Sequence, residues 1–442
     1  MEVQDRNIKE KRSWKGGILM CAALCLLTLF PSSAAAQTRL IVRDSLGLPG
    51  INLTCVLLGC NVVNAIGDPQ GQLFVVSFPP LLNPVLSLLR LQLQLGIVDI
   101  ELDQPVKTLD ATAGPAPSYL TDEAPTSYYG STVWHGYVNQ PATQLIRLAQ
   151  TRSGFNTTGS GVIVAVIDTG VDPTNPVLQG VLVNGYDFTR NKNGGSEDSD
   201  VNASPDLSQA ETGQVNQRTV AVLDQRTVAV LDGTQYDAFG HGTMTAGIVH
   251  LVAPQAQIMP LKSFNANGTG YDSDVLRAIY YAVKNGARVL SMSFDYTTYS
   301  QELATAIRYA NSKGVVSVAS AGNDGQQILV YPGALPGVID VASTSNQDTQ
   351  SVFTNYGAPP VDLAAPGEGV VTTYPWGTYA AGWGTSFSAP LVSGTAALML
   401  GRNGGCSVSN VASGLAKADS ISDPQLGNGR LDTYTAVRFC HQ

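Results

Sequence analysis

The chain has 442 residues, of which 44% are hydrophobic and 13% charged, and it carries 45 glycines. Such a composition excludes a disordered tail, a collagen-like fibre or a coiled coil, and suits a globular enzyme with many tight loops. A net charge of −9 lacks the basic footprint of a nucleic-acid binder, so no nucleic acid is expected as a partner.

At the N-terminus, Lys9, Lys11, Arg12 and Lys15 precede an apolar run from Gly17 to Phe30, then Pro31 and the small residues Ala34, Ala35 and Ala36 before Gln37. The run is shorter than the ~20 residues a membrane span needs. Residues 1–36 therefore read as a secretory signal with an A-x-A cleavage site, leaving no stable membrane span and a secreted (extracellular or periplasmic) product. Cys21 and Cys25 would leave with the signal. Cys55, Cys60, Cys406 and Cys440 remain, an even number in an exported chain, and four cysteines allow three connectivities. Cys55–Cys60 and Cys406–Cys440 are the favoured bridges, because each pair sits in one segment. No C-x-x-C pair or nearby histidine supports a zinc site, and no metal or cofactor is expected.

Residues 37–105 read as a small α+β unit. Arg39 to Val42 and Gln72 to Val76 are expected strands. Asn83 to about Leu93 is an expected amphipathic helix with Leu86, Leu89 and Leu93 on its apolar side. Alternation of Leu91, Leu93 and Leu95 with Gln92 and Gln94 is a strand signal that shortens this helix toward Arg90. Gly96 to Leu102 is the last strand, ending at Asp103. Residues 106–133, rich in Thr, Ala, Pro, Ser and Asp between Leu109 and Tyr129, read as an exposed linker.

Residues 134–442 alternate strands and helices. Gly161 to Ile167 is an almost unbroken apolar strand, as burial on both faces requires. A helix starting at Asp272 or Ser273 buries Val275, Leu276, Ile279, Tyr280 and Val283 and stops at Gly286. The strand Ala287 to Phe294, the helix Gln301 to Lys313 and the strand Val315 to Ser320 follow. This alternation predicts an α/β fold, a mostly parallel sheet with helices on both faces. Between the first strand and the first long helix, QRTVAVLD occurs at Gln217 to Asp224 and again at Gln225 to Asp232. Two copies are too few for a solenoid. A duplication within a surface loop or hairpin is expected.

Three short motifs carry chemistry: IDTG at Ile167 to Gly170, GHGT at Gly240 to Thr243, and GTSFSAP at Gly384 to Pro390. A serine hydroxyl needs a neighbouring base to become a nucleophile, and the base needs an orienting carboxylate. Asp168, His241 and Ser386 supply the three types. Alone, Asp168 at a strand end is best read as an ordinary turn aspartate. Of the four histidines, His135, His241, His250 and His441, only His241 is flanked by glycines that allow close approach. Proline in the first turn puts Ser386 near a helix N-terminus, where N–H groups and the dipole favour negative charge. Asn323, in Ala321-Gly322-Asn323 after a strand, offers a side-chain amide as a second oxyanion donor; alone it is a turn asparagine.

With these motifs in this order, residues 134–437 resemble the subtilisin-like serine proteases, the subtilases. The resemblance implies a subtilisin-like three-layer domain. It also implies a serine endopeptidase in which Asp168 orients His241, His241 is general base and then acid, and Ser386 is the nucleophile. Asn323 matches the oxyanion asparagine. Ser291 to Phe294, with Ser293, resembles the strand that pairs with the substrate backbone. Ala319 to Gly322 and Tyr331-Pro332-Gly333 resemble the wall and floor of the pocket for the residue before the scissile bond. Residues 37–105 resemble a subtilase propeptide, which implies an intramolecular chaperone and inhibitor, the chain's own partner besides protein or peptide substrates.

Departures from the pattern are Met244 where a second histidine is frequent, Asp295 where a glycine usually follows the substrate strand, and no calcium-loop insertion after Ile248. A carboxylate at Asp295 would favour basic substrate side chains. An inactive subtilase-fold binding protein is the alternative, disfavoured because all four chemical positions are filled. An α/β-hydrolase esterase fits less well, since no G-x-S-x-G surrounds Ser386.

Overall fold

The computed structural model describes residues 37–80, 84–108, 117–200, 220–222, 238–401, 406–421 and 423–440. The expected signal and most of the duplication lie outside these residues. The chain divides into two compact units, Met1–Gln104 and Pro105–Gln442.

In the first unit, β1 (Thr38–Asp44), α1 (Gly47–Leu58), β2 (Asn61–Ala65), β3 (Leu73–Phe78), α2 (Pro84–Gln92) and β4 (Ile97–Leu102) follow one another. Their four strands form a sheet ordered β2-β3-β1-β4. This is the split β-α-β-β-α-β arrangement. Leu40, Val42, Ile51, Phe74, Val76 and Leu91 fill its core. One helix was not foreseen in the sequence, and one sequence expectation needs correction. Helix α1 has no legible period, because apolar residues cover both sides: Ile51 and Cys55 are buried while Leu53, Val56 and Leu57 are exposed. On α2 the expected apolar side, Leu86, Leu89 and Leu93, faces outward, and Leu88 and Leu91 meet the core instead. A helix apolar all round does not reveal which stripe docks. Gly59, left-handed at φ 71°, ends α1 and turns Cys60 back to bond Cys55.

In the second unit, the stretch expected as an exposed linker is folded where described. It holds β5 (Pro105–Thr108), a 3₁₀ turn at Ser118–Thr121, and a hairpin of β6 (Pro125–Tyr128) and β7 (Ser131–Trp134). Leu120, Tyr128 and Val133 are buried in a satellite core with Tyr137, Leu251 and Tyr379. Apolar residues are sparse in that stretch, but Leu120, Tyr128 and Val133 find places in a core built by distant segments.

Three short helices, α3 (His135–Val138), α4 (Pro141–Leu145) and α5 (Leu148–Phe155), lead to the main sheet. Its strands are β8 (Ile163–Asp168), β9 (Gly185–Asp187), β10 (Lys192–Gly194), β12 (Gln257–Lys262), β14 (Val289–Met292), β16 (Val316–Ser320), β17 (Val338–Thr344) and β18 (Leu363–Pro366). The order is β10-β9-β12-β8-β14-β16-β17-β18, parallel except at β10. Helices α6 (His241–Val252) and α9 (Thr385–Leu400) pack on each other, and α7 (Asp272–Lys284) and α8 (Gln301–Ser312) form another packed pair. The result is the expected α/β architecture. Helix α10 (Val408–Leu415) is preceded by Cys406, and α11 (Thr433–Phe439) is followed by Cys440, to which Cys406 is bridged.

Small sheets complete the unit. β13 (Thr269–Tyr271) and β15 (Phe294–Asp295) flank β5. β11 (Val220–Val222), β20 (Thr378–Gly382) and β19 (Val370–Tyr374) form another sheet. β11 belongs to the first copy of the duplication and is an edge strand on β20, pairing Val220 with Gly382. No helix among the described residues is long and apolar enough to cross a membrane.

Candidate active site

Asp168 is the last residue of β8, where the apolar strand ends at the carboxyl edge of the sheet. Parallel strands open a crevice at that edge. Asp168 is 1% exposed and its carboxylate is fully engaged. Oδ1 accepts from the Thr169 N–H at 2.7 Å and lies 2.7 Å from His241 Nδ1, and Oδ2 accepts from Thr245 Oγ1 at 3.1 Å. His241 is the first residue of α6. The glycine on its C-terminal side is needed for contact: a Cβ on Gly242 would collide with the Gly170 carbonyl. IDTG and GHGT therefore pack backbone to backbone. The far nitrogen of the ring, Nε2, is buried and has no hydrogen-bond partner.

Ser386 is the second residue of α9, after Gly384 at φ 141°, a backbone state that favours glycine. Its Oγ donates to Ser293 O at 3.4 Å, and Ser293 Oγ donates to Ser386 O at 3.0 Å. Ser386 Oγ is thus held beside the end of the central strand rather than bonded to His241. Such bonds are often long in free enzymes and tighten with substrate. Asn323 follows β16. Its Oδ1 accepts from Thr385 N at 2.9 Å and Thr385 Oγ1 at 3.0 Å, which fixes the amide, while Nδ2 is buried without a partner. Two orphaned polar atoms, one acceptor and one donor, thus belong to side chains held in place by Asp168 and Thr385.

The remaining expected residues separate into two sets. β5 lies between β13 and β15, with Thr108 opposite Phe294, Lys107 opposite both Asp295 and Thr269, and Val106 opposite Gly270. Ser293 directly precedes this ladder. Phe294 offers only its backbone, because its side chain is fully buried and stacks near Phe264. Ala321 and Gly322 line the approach to Asn323, and Gly322 N donates to Thr385 Oγ1 at 3.2 Å. Ser291 does not join them. Its backbone is enclosed between β8 and β16, and its Oγ accepts from Ser393 of α9 at 3.0 Å.

Sequence reasoning missed a buried polar layer behind Asp168 and His241. Glu197 is fully buried; it accepts from Gly240 N at 2.8 Å, from Thr169 Oγ1 at 3.4 Å and from Thr243 Oγ1. Burial pushes its carboxyl well above the usual range, against the opposing effect of the Thr243 hydroxyl. Lys262 pairs in register with Asp168 and donates three bonds of 2.6 Å, to Thr169 O, Phe264 O and Asp200 Oδ2. Burial draws its ammonium down, and Asp200 opposes that. The only sequence signal was a lysine closing the QIMPLK strand after the apolar run Ile258 to Leu261. Glu197 had none, since its partners are 28 to 46 residues away.

A model of the subtilase family matches residues 159–429. The chain is 34% identical over 294 residues to thermitase of Thermoactinomyces vulgaris, covering 64% of this chain and 90% of that protein. It is 31% identical over 337 residues to a thermophilic serine proteinase of a Bacillus species, covering 73% of this chain and 72% of the relative. Among solved structures it resembles fervidolysin of Fervidobacterium pennivorans, a keratinolytic enzyme related to subtilisin, with a TM-score of 0.69 and 21% identity. That match covers 92% of this chain and 62% of fervidolysin, and it speaks for the fold alone.

Proposed function

Because the chain belongs to the subtilase family and is a serine endopeptidase, we propose that it is an exported enzyme, made as a self-processing zymogen, that works through Asp168, His241 and Ser386. The carrying observation is the 2.7 Å bond from Asp168 to His241 Nδ1 with Nε2 left unpartnered. That bond fixes the tautomer, so Nε2 is the basic atom. As Ser386 Oγ attacks the substrate carbonyl carbon, its proton passes to Nε2. The C=O electron pair moves to oxygen, which is held by Asn323 Nδ2 and the Ser386 N–H at the start of α9. Collapse expels the amine, which takes the proton from Nε2, and leaves an acyl ester on Ser386. Water, deprotonated by Nε2, then hydrolyses the ester and restores the hydroxyl.

The zymogen reading rests on β5. An extended strand between two cleft strands is how a substrate backbone adds to a sheet edge. β5 follows directly on the first unit, which suits that unit to the role of inhibitor. The cut falls beyond Thr108, in the stretch 109–133. The signal-like residues 1–36 support export, to the extracellular space or the periplasm.

The test is to purify the full chain and its Ser386→Ala variant and follow both by mass. The wild type should shorten by its first unit, hydrolyse casein and be blocked by a serine-directed phosphonate. Ser386→Ala should stay full length, and the separately made first unit should inhibit the mature enzyme. Normal trimming of purified Ser386→Ala ends the zymogen reading.

A further inference from the structure

Three acids that the chemistry above does not use surround the approach to Asn323. Asp295 ends β15, and its carboxylate leans across to the opposite wall, where a Cβ on Gly322 would collide with Oδ2. That oxygen is buried and has no hydrogen-bond partner. Asp340, brought beside β16 by the Ala319–Asp340 register of β17, is 1% exposed. Neither of its carboxylate oxygens has a partner, and a Cβ on Gly333 would collide with Oδ1. Asp324 is exposed at the rim, its Oδ2 accepting from Asn355 Nδ2 at 3.0 Å.

The backbone around these acids forms one slot. Tyr296 and Tyr331 bond each other's main chains at 3.0 and 2.8 Å, which holds residues 331–333 against the end of β15. Residues 320–322 form the opposite wall. Asn323 directly follows Gly322, and Ser293, whose carbonyl accepts from Ser386 Oγ, lies two residues before Asp295.

None of the ion pairs among the described residues includes Asp295, Asp324 or Asp340. Burying carboxylates without cations is costly. Accordingly, burial and then the Asp324 charge push Asp295 up to about 7. Burial, followed by the Asp362 and Asp295 charges, pushes Asp340 well above the carboxylate range. A ligand that brought its own positive charge would relieve both. The described residues hold no group of three such ligands that converges on a metal ion. Acids spread from rim to floor suit an extended cation instead.

We propose that this slot takes the side chain of the substrate residue just before the scissile bond and selects Lys or Arg, an inference that rests on the proteolytic reading above. Asp340 waits at the floor for an ammonium or guanidinium, and Asp295 flanks the aliphatic stem and shares the charge. Charge-assisted bonds in a dry slot are the strong ones, and Arg can engage two acceptors at once.

The test uses the mature enzyme, titrated with a serine-directed phosphonate, on peptides that differ only at that residue: Arg, Lys, Leu or Glu. The kcat/KM for Arg and Lys should exceed that for Leu by roughly 10- to 100-fold, with Glu lowest. Asp295→Gly and, separately, Asp340→Asn should bring Arg toward Leu with the titrated site concentration unchanged; Asp295→Gly suffices if Asp340→Asn does not fold. Equal or better cleavage after Leu, or a ratio untouched by either variant, overturns the slot. A basic preference confined to the substrate position that pairs with Asp295, as Lys107 of β5 does, overturns it too. Absence of both phosphonate labelling and casein hydrolysis would instead sink the proteolytic reading beneath it.

Discussion

Asp168 and Asp340 are both 1% exposed, both lie on parallel strands of one sheet, and they are treated in opposite ways. Asp168 has a donor for each oxygen, from a backbone N–H, a threonine hydroxyl and the imidazole. Asp340 has none. A satisfied buried carboxylate is an anchor, since moving it would strand several donors at once. An unsatisfied one is a standing cost, lessened by holding a proton and relieved further by a partner from outside. The protein itself thus finishes one end, at Asp168, and leaves the other, at Asp340, unfinished.

The largest expected effect tests the finished end. Ser386→Ala or His241→Ala should lower kcat by on the order of 10⁴–10⁶ with the fold intact by circular dichroism. Asn323→Ala should lose ~10²–10³ without a matching change in KM. Near-normal turnover in any of these variants breaks the assignment of that residue. The frame under this end comes next. Cys406 and Cys440 are 34 positions apart, and a bridge of that span contributes about 3–4 kcal/mol in the chain-entropy treatment. Removing both cysteines should lower stability to denaturant by that order and leave cleavage preference alone. Free thiols at both positions in native protein would contradict the bridge.

The unfinished end makes a smaller, pH-dependent prediction. Asp295 sits at about 7 in the fold, raised by burial and then by the Asp324 charge, with the Asp340 carboxyl also near it, against an ordinary value near 4. The folded state therefore holds a proton that the unfolded chain releases first. The stability associated with this group is whole below about pH 4 and falls as pH rises toward 7. Asp295→Asn should raise the Tm by a few degrees at pH 8 and not at pH 4. A pH-independent shift would show that its proton is not involved. Smallest of all, deleting residues 225–232 leaves one intact QRTVAVLD to supply the Val220–Val222 edge strand. Folding and cleavage should be unchanged, and failure to fold would mean that the second copy is packed.

What the sequence disclosed follows this same division. Asp168, His241 and Ser386 each sit in a glycine-flanked motif at an element boundary, so local spacing sufficed to single them out as candidates, and the apolar strands foretold the parallel sheet. Asp295 was legible only as an acid where a glycine is usual. Asp340 was invisible, an aspartate inside the strand VIDVAST whose partner surface is assembled by segments far apart in the chain. Glu197 and the buried Lys262 escaped for the same reason. In the first unit the failure was different. Leucine on every side of α1 and α2 erased the period that tells inside from outside, so the stripe chosen for α2 was the exposed one.

Helix α9 buries all 16 of its residues, from Thr385 to Leu400. A segment so enclosed has no partial way out; its amides exchange with solvent only when the whole unit opens. Because Ser386 is its second residue, the proposed nucleophile is tied to the last structure to come apart. Heat should then abolish cleavage in one step, coincident with melting of the unit, and deuterium uptake along 389–400, past the first turn, should lag that of every surface helix. An enzyme that digests chains like itself gains from this arrangement, since a molecule loose enough to be cut is already one that no longer cuts.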